Sequence, residues 1–192
     1  MKTRPRVCVL AGPNGAGKTT SAAPLVRDRW GIVTFVNADT IAQGLAGFAA
    51  EAVAVAAGRL MLAQLDALAA QRVDFAFETT LASRTFVPRL RALRSAGYEV
   101  LLVYLWLPSP ELALLRVQER VRAGGHDVPG ATVRRRFHRG LANFHRLYRP
   151  LVDRWWCLDG SCVPPVLVAE GDPATVSVLA ADTWQQVCAH AT

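Results

Sequence analysis

"VCVLAGPNGAGKTT", Val7 to Thr20, decides how this chain folds. It starts as an unbroken apolar run, the signature of a strand buried on both faces. It then turns through glycine-rich sequence into a lysine and two threonines. Gly12-Pro13-Asn14-Gly15-Ala16-Gly17-Lys18-Thr19 matches G-x-x-x-x-G-K-S/T at every fixed position, and it lies where such a loop must lie, between a strand and a helix start. The glycines let backbone N–H groups converge on phosphate oxygens, and the helix N-terminus adds partial positive charge. Lys18 brings a compact charge on a flexible stem, where the planar fork of arginine does not fit. The chain otherwise avoids this residue: Lys2 and Lys18 are its only lysines, and every other basic side chain except the histidines is arginine. The expected nucleotide-binding set is Gly12, Pro13, Asn14, Gly15, Ala16, Gly17, Lys18, Thr19 and Thr20. The nucleotide is ATP, with GTP left open, and Thr19 is placed to ligate Mg²⁺.

Outward from the loop, strand-like runs recur at Arg6–Ala11, Val33–Ala38, Asp74–Glu78, Val100–Leu107 and Pro165–Ala169. Helical patterns alternate with them. They cover Gly17–Arg29, Glu51–Gln71 (apolar at Ala54, Leu60, Leu62, Leu65 and Leu68), Phe86–Ser95, a segment from Pro110, Ala131–Tyr148 and Pro173–His190. In "SPELALLRVQERVRAGG" Ser109 reads as N-cap, Pro110 as the first helical residue and Gly124 as the stop. Strand–helix alternation predicts an α/β fold, a kinase-like P-loop three-layer sandwich with about five mostly parallel strands. Residues 1–192 read as one domain, with a helical arginine-rich lid around 116–140.

The chain has 192 residues, 52% hydrophobic and 19% charged, enough for one sizeable core. No apolar run is long enough for a membrane span, and no secretory h-region precedes the first strand, so a cytoplasmic location is expected. Cys8, Cys157, Cys162 and Cys188 show neither CxxC spacing nor a zinc-type cluster. The net charge of +7 suits either nucleic acid or anionic nucleotides and phosphorylated substrates.

Guanine-reading GTPases use N-K-x-D, which two lysines at positions 2 and 18 exclude. A motor or transporter ATPase needs more chain. A short P-loop domain with an arginine-rich helical segment after its fourth strand fits a small kinase better. "TFVNADT" puts Asp39 at the end of the second strand, where a carboxylate takes the proton of an acceptor hydroxyl, although Asp39 also reads as a cap for the next helix. "DFAFETTLAS" puts Glu78 at the end of the third strand, to hold a Mg²⁺-bound water or an acceptor hydroxyl. Thr79, Thr80 and Arg84 follow on the same rim. Arg116 and Arg120 share a helix face, and a second basic helix begins with Arg134, Arg135 and Arg136. Arg120 and one residue of the 134–136 run, Arg136, are the expected phosphoryl-facing pair. The other arginines are expected in solvent or paired with Glu119 or Asp127. His126 reads as a turn residue between the helices, and Trp155 and Trp156 as packing.

"GPNGAGKTT", "NAD", "FETTLAS" and "RVRAGGHDVP…RRRF", in that order, resemble the zeta-toxin family of P-loop kinases, its short stand-alone bacterial members in particular. The likeness covers roughly Val7 to Ser161. It implies ATP with Mg²⁺ and transfer to a sugar hydroxyl of UDP-N-acetylglucosamine or a similar nucleotide sugar, and a small antitoxin protein as partner. By motif it makes Lys18 the phosphate binder and Thr19 the metal ligand. Asp39 becomes the base, Glu78 and Thr80 acceptor contacts, and Arg120 and Arg136 stabilisers of the moving phosphoryl group. Two other readings stay open: a polynucleotide 5′-kinase, and a nucleotide-binding module whose acceptor is water.

Overall fold

The computed structural model describes residues 4–45, 50–125 and 127–190; the readings at His126 and for the Ala54 side chain fall outside the described residues. The strands are β1 (Arg6–Ala11), β2 (Phe35–Val36), β3 (Phe75–Thr79), β4 (Glu99–Trp106), β5 (Arg154–Asp159), β6 (Val166–Gly171) and β7 (Val176–Val178). They form one sheet in the order β2-β3-β1-β4-β5-β6-β7. The first five are parallel, and β6 and β7 extend the sheet antiparallel.

The helices are α1 (Lys18–Ala22), α2 (Asp28–Trp30), α3 (Ala38–Gly44), α4 (Ala50–Gln71), α5 (Phe86–Ser95), α6 (Pro110–Arg122), α7 (Gly130–Asn143) and α8 (Ala181–Ala189). A π turn over Ala23–Arg27 joins α1 to α2, and Pro24 explains it: a proline has no N–H to donate within an α ladder. A second π turn, Phe144–Tyr148, ends α7. At α6 the Ser109 side chain accepts from the Leu112 N–H, as its cap role requires. Gly124, at φ 87°, and Gly125 close that helix as a Schellman end. The Gly125 and Gly124 N–H groups donate to the Arg120 and Val121 carbonyls.

The period-2 alternation of the central strands feeds two cores. Val7, Val9 and Ala11 of β1 and Leu102, Tyr104 and Trp106 of β4 face Met61, Leu65, Leu90, Leu141 and Phe144 on one side. Cys8, Leu10, Leu101, Val103 and Leu105 face Val26, Ala113, Val117, Val133 and Phe137 on the other. Helix α7 reaches both cores, with Val133 and Phe137 in one and Leu141 in the other. This is the expected three-layer sandwich, but with seven strands in place of about five. The added strands come from two segments. "RWWCLD" is a strand beside β4, its Trp155 and Trp156 buried on opposite faces. The helix expected over Pro173–His190 spans only Ala181–Ala189, because Asp172 accepts from the Ala174 and Thr175 N–H groups and turns the chain into β7. Chain order reverses around β1, so the carboxyl ends of β1, β2 and β3 open onto one crevice.

Candidate active site

The phosphate loop is shaped by what lies beneath it. Gly12 has φ 144°, and a Cβ there would stand 2.4 Å from the Leu105 carbonyl oxygen of β4. Gly15, at φ 80°, would bring a Cβ to 2.8 Å from the Ala113 carbonyl oxygen of α6. Only glycine lets the loop lie on both backbones. Lys18 is buried, and its Nζ donates to the Pro13 carbonyl at 2.8 Å and stands 3.6 Å from Glu78 Oε1. Burial lowers the Lys18 pKa, while the carboxylates of Glu78 and Asp39 act to raise it. The two carboxylates thus oppose the effect of burial, which is the larger of the two.

A cleft of about 680 Å³ opens from this loop. Asn14, Gly15, Gly17, Lys18, Thr19 and Thr20 line one end. Gly12, Pro13 and Ala16 lie buried beneath them. Asp39, Glu78, Thr79, Thr80, Arg116, Arg120 and Arg136 line it as well. Val55, Met61 and Leu62 of α4 and Phe86 of α5 add an apolar wall, with Arg59 among the lining residues. The catalytic and acceptor candidates therefore meet in one crevice, although they come from five separate stretches of chain.

Thr19 Oγ1 donates to Glu78 Oε2 at 2.8 Å. These are hard oxygen donors, the kind Mg²⁺ takes beside nucleotide phosphates, so the donor set fits that ion. Asn37, which the sequence reading passed over, donates through Nδ2 to the same Glu78 oxygen at 2.9 Å. Its Oδ1 accepts the Asp39 N–H at 2.7 Å and caps α3. The cap weighed for Asp39 thus belongs to Asn37, because a cap must precede the first helical turn and Asp39 already lies within it.

Of the 134–136 run, Arg136 lines the cleft. Burial lowers its pKa, Asp39 pulls it up and Arg135 pushes it down. Arg134, expected in solvent or paired with Glu119 or Asp127, pairs with Glu111; the two side chains meet between α7 and the first turn of α6. Arg84 is exposed. Arg116 was expected to be solvated or paired with a carboxylate. It donates instead to the carbonyls of Gly160 at 2.6 Å, Ser161 at 2.9 Å and Gly15 at 3.5 Å. It ties α6, the phosphate loop and the β5–β6 turn together. Carbonyl partners leave no trace in sequence, so nothing distinguished Arg116 from Arg120.

The acceptor rim is braced from behind. Leu81 sits buried at φ 56°, a costly conformation for a branched side chain. The Asn143 Nδ2 donates to its carbonyl at 2.7 Å, and the Tyr148 hydroxyl donates to the Ser83 carbonyl at 2.7 Å. Gly140 lies directly under Thr80, where a Cβ would stand 2.3 Å from the Thr80 carbonyl oxygen.

The zeta toxin family model matches residues 1–152. An uncharacterized protein of Haemophilus influenzae is 28% identical over 126 residues, 66% of this chain and 88% of the relative. Among solved structures, a chain of the AvrRxo1-ORF1:ORF2 complex with ATP superposes with a TM-score of 0.77 at 18% identity, covering 97% of this chain. This chain spans 64% of that one's length. A chain of the PezAT chromosomal toxin–antitoxin system of Streptococcus pneumoniae gives a TM-score of 0.68 at 19% identity, with 97% and 79% coverage. At these identities the structures speak for the fold.

Proposed function

The chain belongs to the zeta toxin family and is an ATP-dependent phosphotransferase, and from that premise we propose that it moves the γ-phosphoryl group of ATP to a hydroxyl of a nucleotide sugar, a UDP-N-acetyl amino sugar. The observation that carries this reading is the cleft itself. Its volume of about 680 Å³ extends past the phosphate loop to an apolar wall that a triphosphate does not need. That wall, with Arg59 in it, suits an acceptor with flat or apolar surface and negative charge.

In this reading the phosphate loop and Lys18 hold the triphosphate, and Thr19 and Glu78 would hold Mg²⁺ between them, directly and through water. When bound, the ion supplies charge neutralisation at the phosphates. Asp39 accepts the proton of the acceptor hydroxyl. The hydroxyl oxygen forms a bond to the γ-phosphorus as the bond to the β–γ bridging oxygen breaks, giving ADP and a phosphate monoester. Arg120 and Arg136 stabilise the charge on the group in flight. Glu78 and Thr80 orient the acceptor. The same family membership supports a small antitoxin protein as partner and a cytoplasmic location. Among the described residues, no helix is long and apolar enough to cross a membrane.

The test is incubation with labelled ATP, Mg²⁺ and a metabolite panel that includes nucleotide sugars and a 5′-hydroxyl oligonucleotide, read by mass spectrometry. A phosphorylated nucleotide sugar supports the proposal. Label on the oligonucleotide alone makes the chain a polynucleotide kinase, and label in inorganic phosphate alone makes water the acceptor. Either result overturns it.

A further inference from the structure

Asn37 does more than cap a helix. It is 7% exposed, at the carboxyl end of β2, where the pairing Val36 with Phe77 brings it level with Glu78 of β3. Its two side-chain arms point to different parts of the site. The Oδ1 accepts the Asp39 N–H, and the Nδ2 donates to Glu78 Oε2 at 2.9 Å and, more weakly, to Thr19 Oγ1 at 3.4 Å. The reverse orientation would set two oxygens against each other and an NH₂ against an N–H, so the amide can face only one way.

The choice of residue is informative. Serine and aspartate cap helices as well as asparagine does. Serine lacks a second arm, and aspartate would place a second carboxylate against Glu78. Among these caps the amide alone carries its acceptor and its donor on separate atoms, one for the helix and one for the carboxylate. With Thr19 also donating to Glu78 Oε2 and Lys18 Nζ standing 3.6 Å from Oε1, both carboxylate oxygens are fixed. The Thr19 hydroxyl has its hydrogen committed to Glu78.

We propose that Asn37 is a positioning residue that couples the Mg²⁺-side pair, Thr19 and Glu78, to the base Asp39, so that the group holding the ion also sets where α3 begins and where Asp39 stands. The proposal rests on the kinase reading above. Its test separates the two. Asn37→Ser keeps the cap and removes the bridge, whereas Asn37→Ala removes both. Nucleotide affinity is measured with ADP, in Mg²⁺ and in EDTA, with no acceptor present, and phosphoryl transfer is measured separately. The expected result is that Ser behaves as Ala. The Mg²⁺-dependent gain in ADP affinity falls about tenfold or more, as for loss of a hydrogen bond to a charged group. Turnover falls at least as far, with KM for ATP in EDTA-free buffer moving less than kcat. If Asn37→Ser matches the wild type in both measurements, Asn37 is a cap only and the proposal fails. It fails also if turnover drops while the Mg²⁺ gain is intact. Should the wild type phosphorylate nothing, the kinase reading is lost, and the ADP titration by itself still decides for or against the bridge.

Discussion

Replacing Arg116 by methionine keeps the stem of the side chain and deletes the guanidinium that gathers three carbonyls. Two of its hydrogen bonds are short, 2.6 Å to Gly160 and 2.9 Å to Ser161, and the third, to Gly15, is long at 3.5 Å. A hydrogen bond from a charged donor contributes about 1.5–3 kcal/mol. The Ser161 carbonyl belongs to a partly exposed residue, so water recovers much of its share; Gly160 is buried, so its carbonyl loses a partner outright. The net loss is about 2–4 kcal/mol. For a chain of this size each kcal/mol lowers Tm by about 2–4 °C, so Tm falls by roughly 4–16 °C. Nucleotide binding weakens too, because Gly15 is held from the same guanidinium. Arg116→Lys recovers only part, since one ammonium cannot span the β5–β6 turn and the phosphate loop with a planar fork. The assay is thermal unfolding of the three proteins alongside nucleotide titration. A Tm for Arg116→Met within about 1 °C of the wild type would refute the reasoning, since it would mean that the three-way contact carries no net stability.

Gly12→Ala forces a Cβ against the β4 backbone at 2.4 Å, in a left-handed conformation that alanine resists, and is expected to lower stability by about 2 kcal/mol or more and to abolish tight nucleotide binding; urea titration and ADP binding check both. Arg136→Met removes the cation drawn to Asp39 and is expected to cut phosphoryl transfer about 10²–10³-fold while ATP affinity changes far less, measured by steady-state kinetics. Burial, helped by the Arg149 guanidinium 3.0 Å from its Nδ1, holds the His145 pKa down at about 4 against an ordinary value of 6.5. The unfolded chain then binds more protons than the folded one between these values, so this residue erodes stability as pH falls from 6.5 toward 4 and costs nothing above that window. His145→Gln should therefore lose less Tm than the wild type across that range, and identical acid profiles would contradict the assignment.

How much of this was legible in the chain depended on how local the signal was. The phosphate loop, the Ser109 cap, the Phe86–Ser95 helix and β1 rest on residue patterns within one turn or strand, and each was read in place. β5 was missed because "RWWCLD" is short, aromatic and flanked by charge; its pairing with β4 and β6 and the packing of its tryptophans on Trp30, Phe144 and Trp184 are all distant in sequence. β7 was absorbed into the helix expected over Pro173–His190, because the turn that Asp172 makes with the Ala174 and Thr175 N–H groups was not read. At the site, Lys18, Thr19, Asp39 and Glu78 stand at or shortly after the ends of strand-like runs, and the structure brings all four to one cleft. The roles of Asn37 and Arg116 were not read, because the groups they serve lie 41 and 44 residues away, a carboxylate in one case and a backbone carbonyl in the other. The one available hint for Asn37 was its place just before a helix start, which named the cap and not the bridge.

The account stands or falls on Asp39→Asn, a change of one oxygen to NH₂ in the first turn of α3. Phosphoryl transfer to the acceptor found in the metabolite panel, and ATP affinity, are to be measured on the same preparation. Loss of a general base predicts a fall in transfer of about 10²–10⁴-fold with ATP still bound at close to wild-type affinity. Labelled product formed at the wild-type rate by that variant would contradict the central claim.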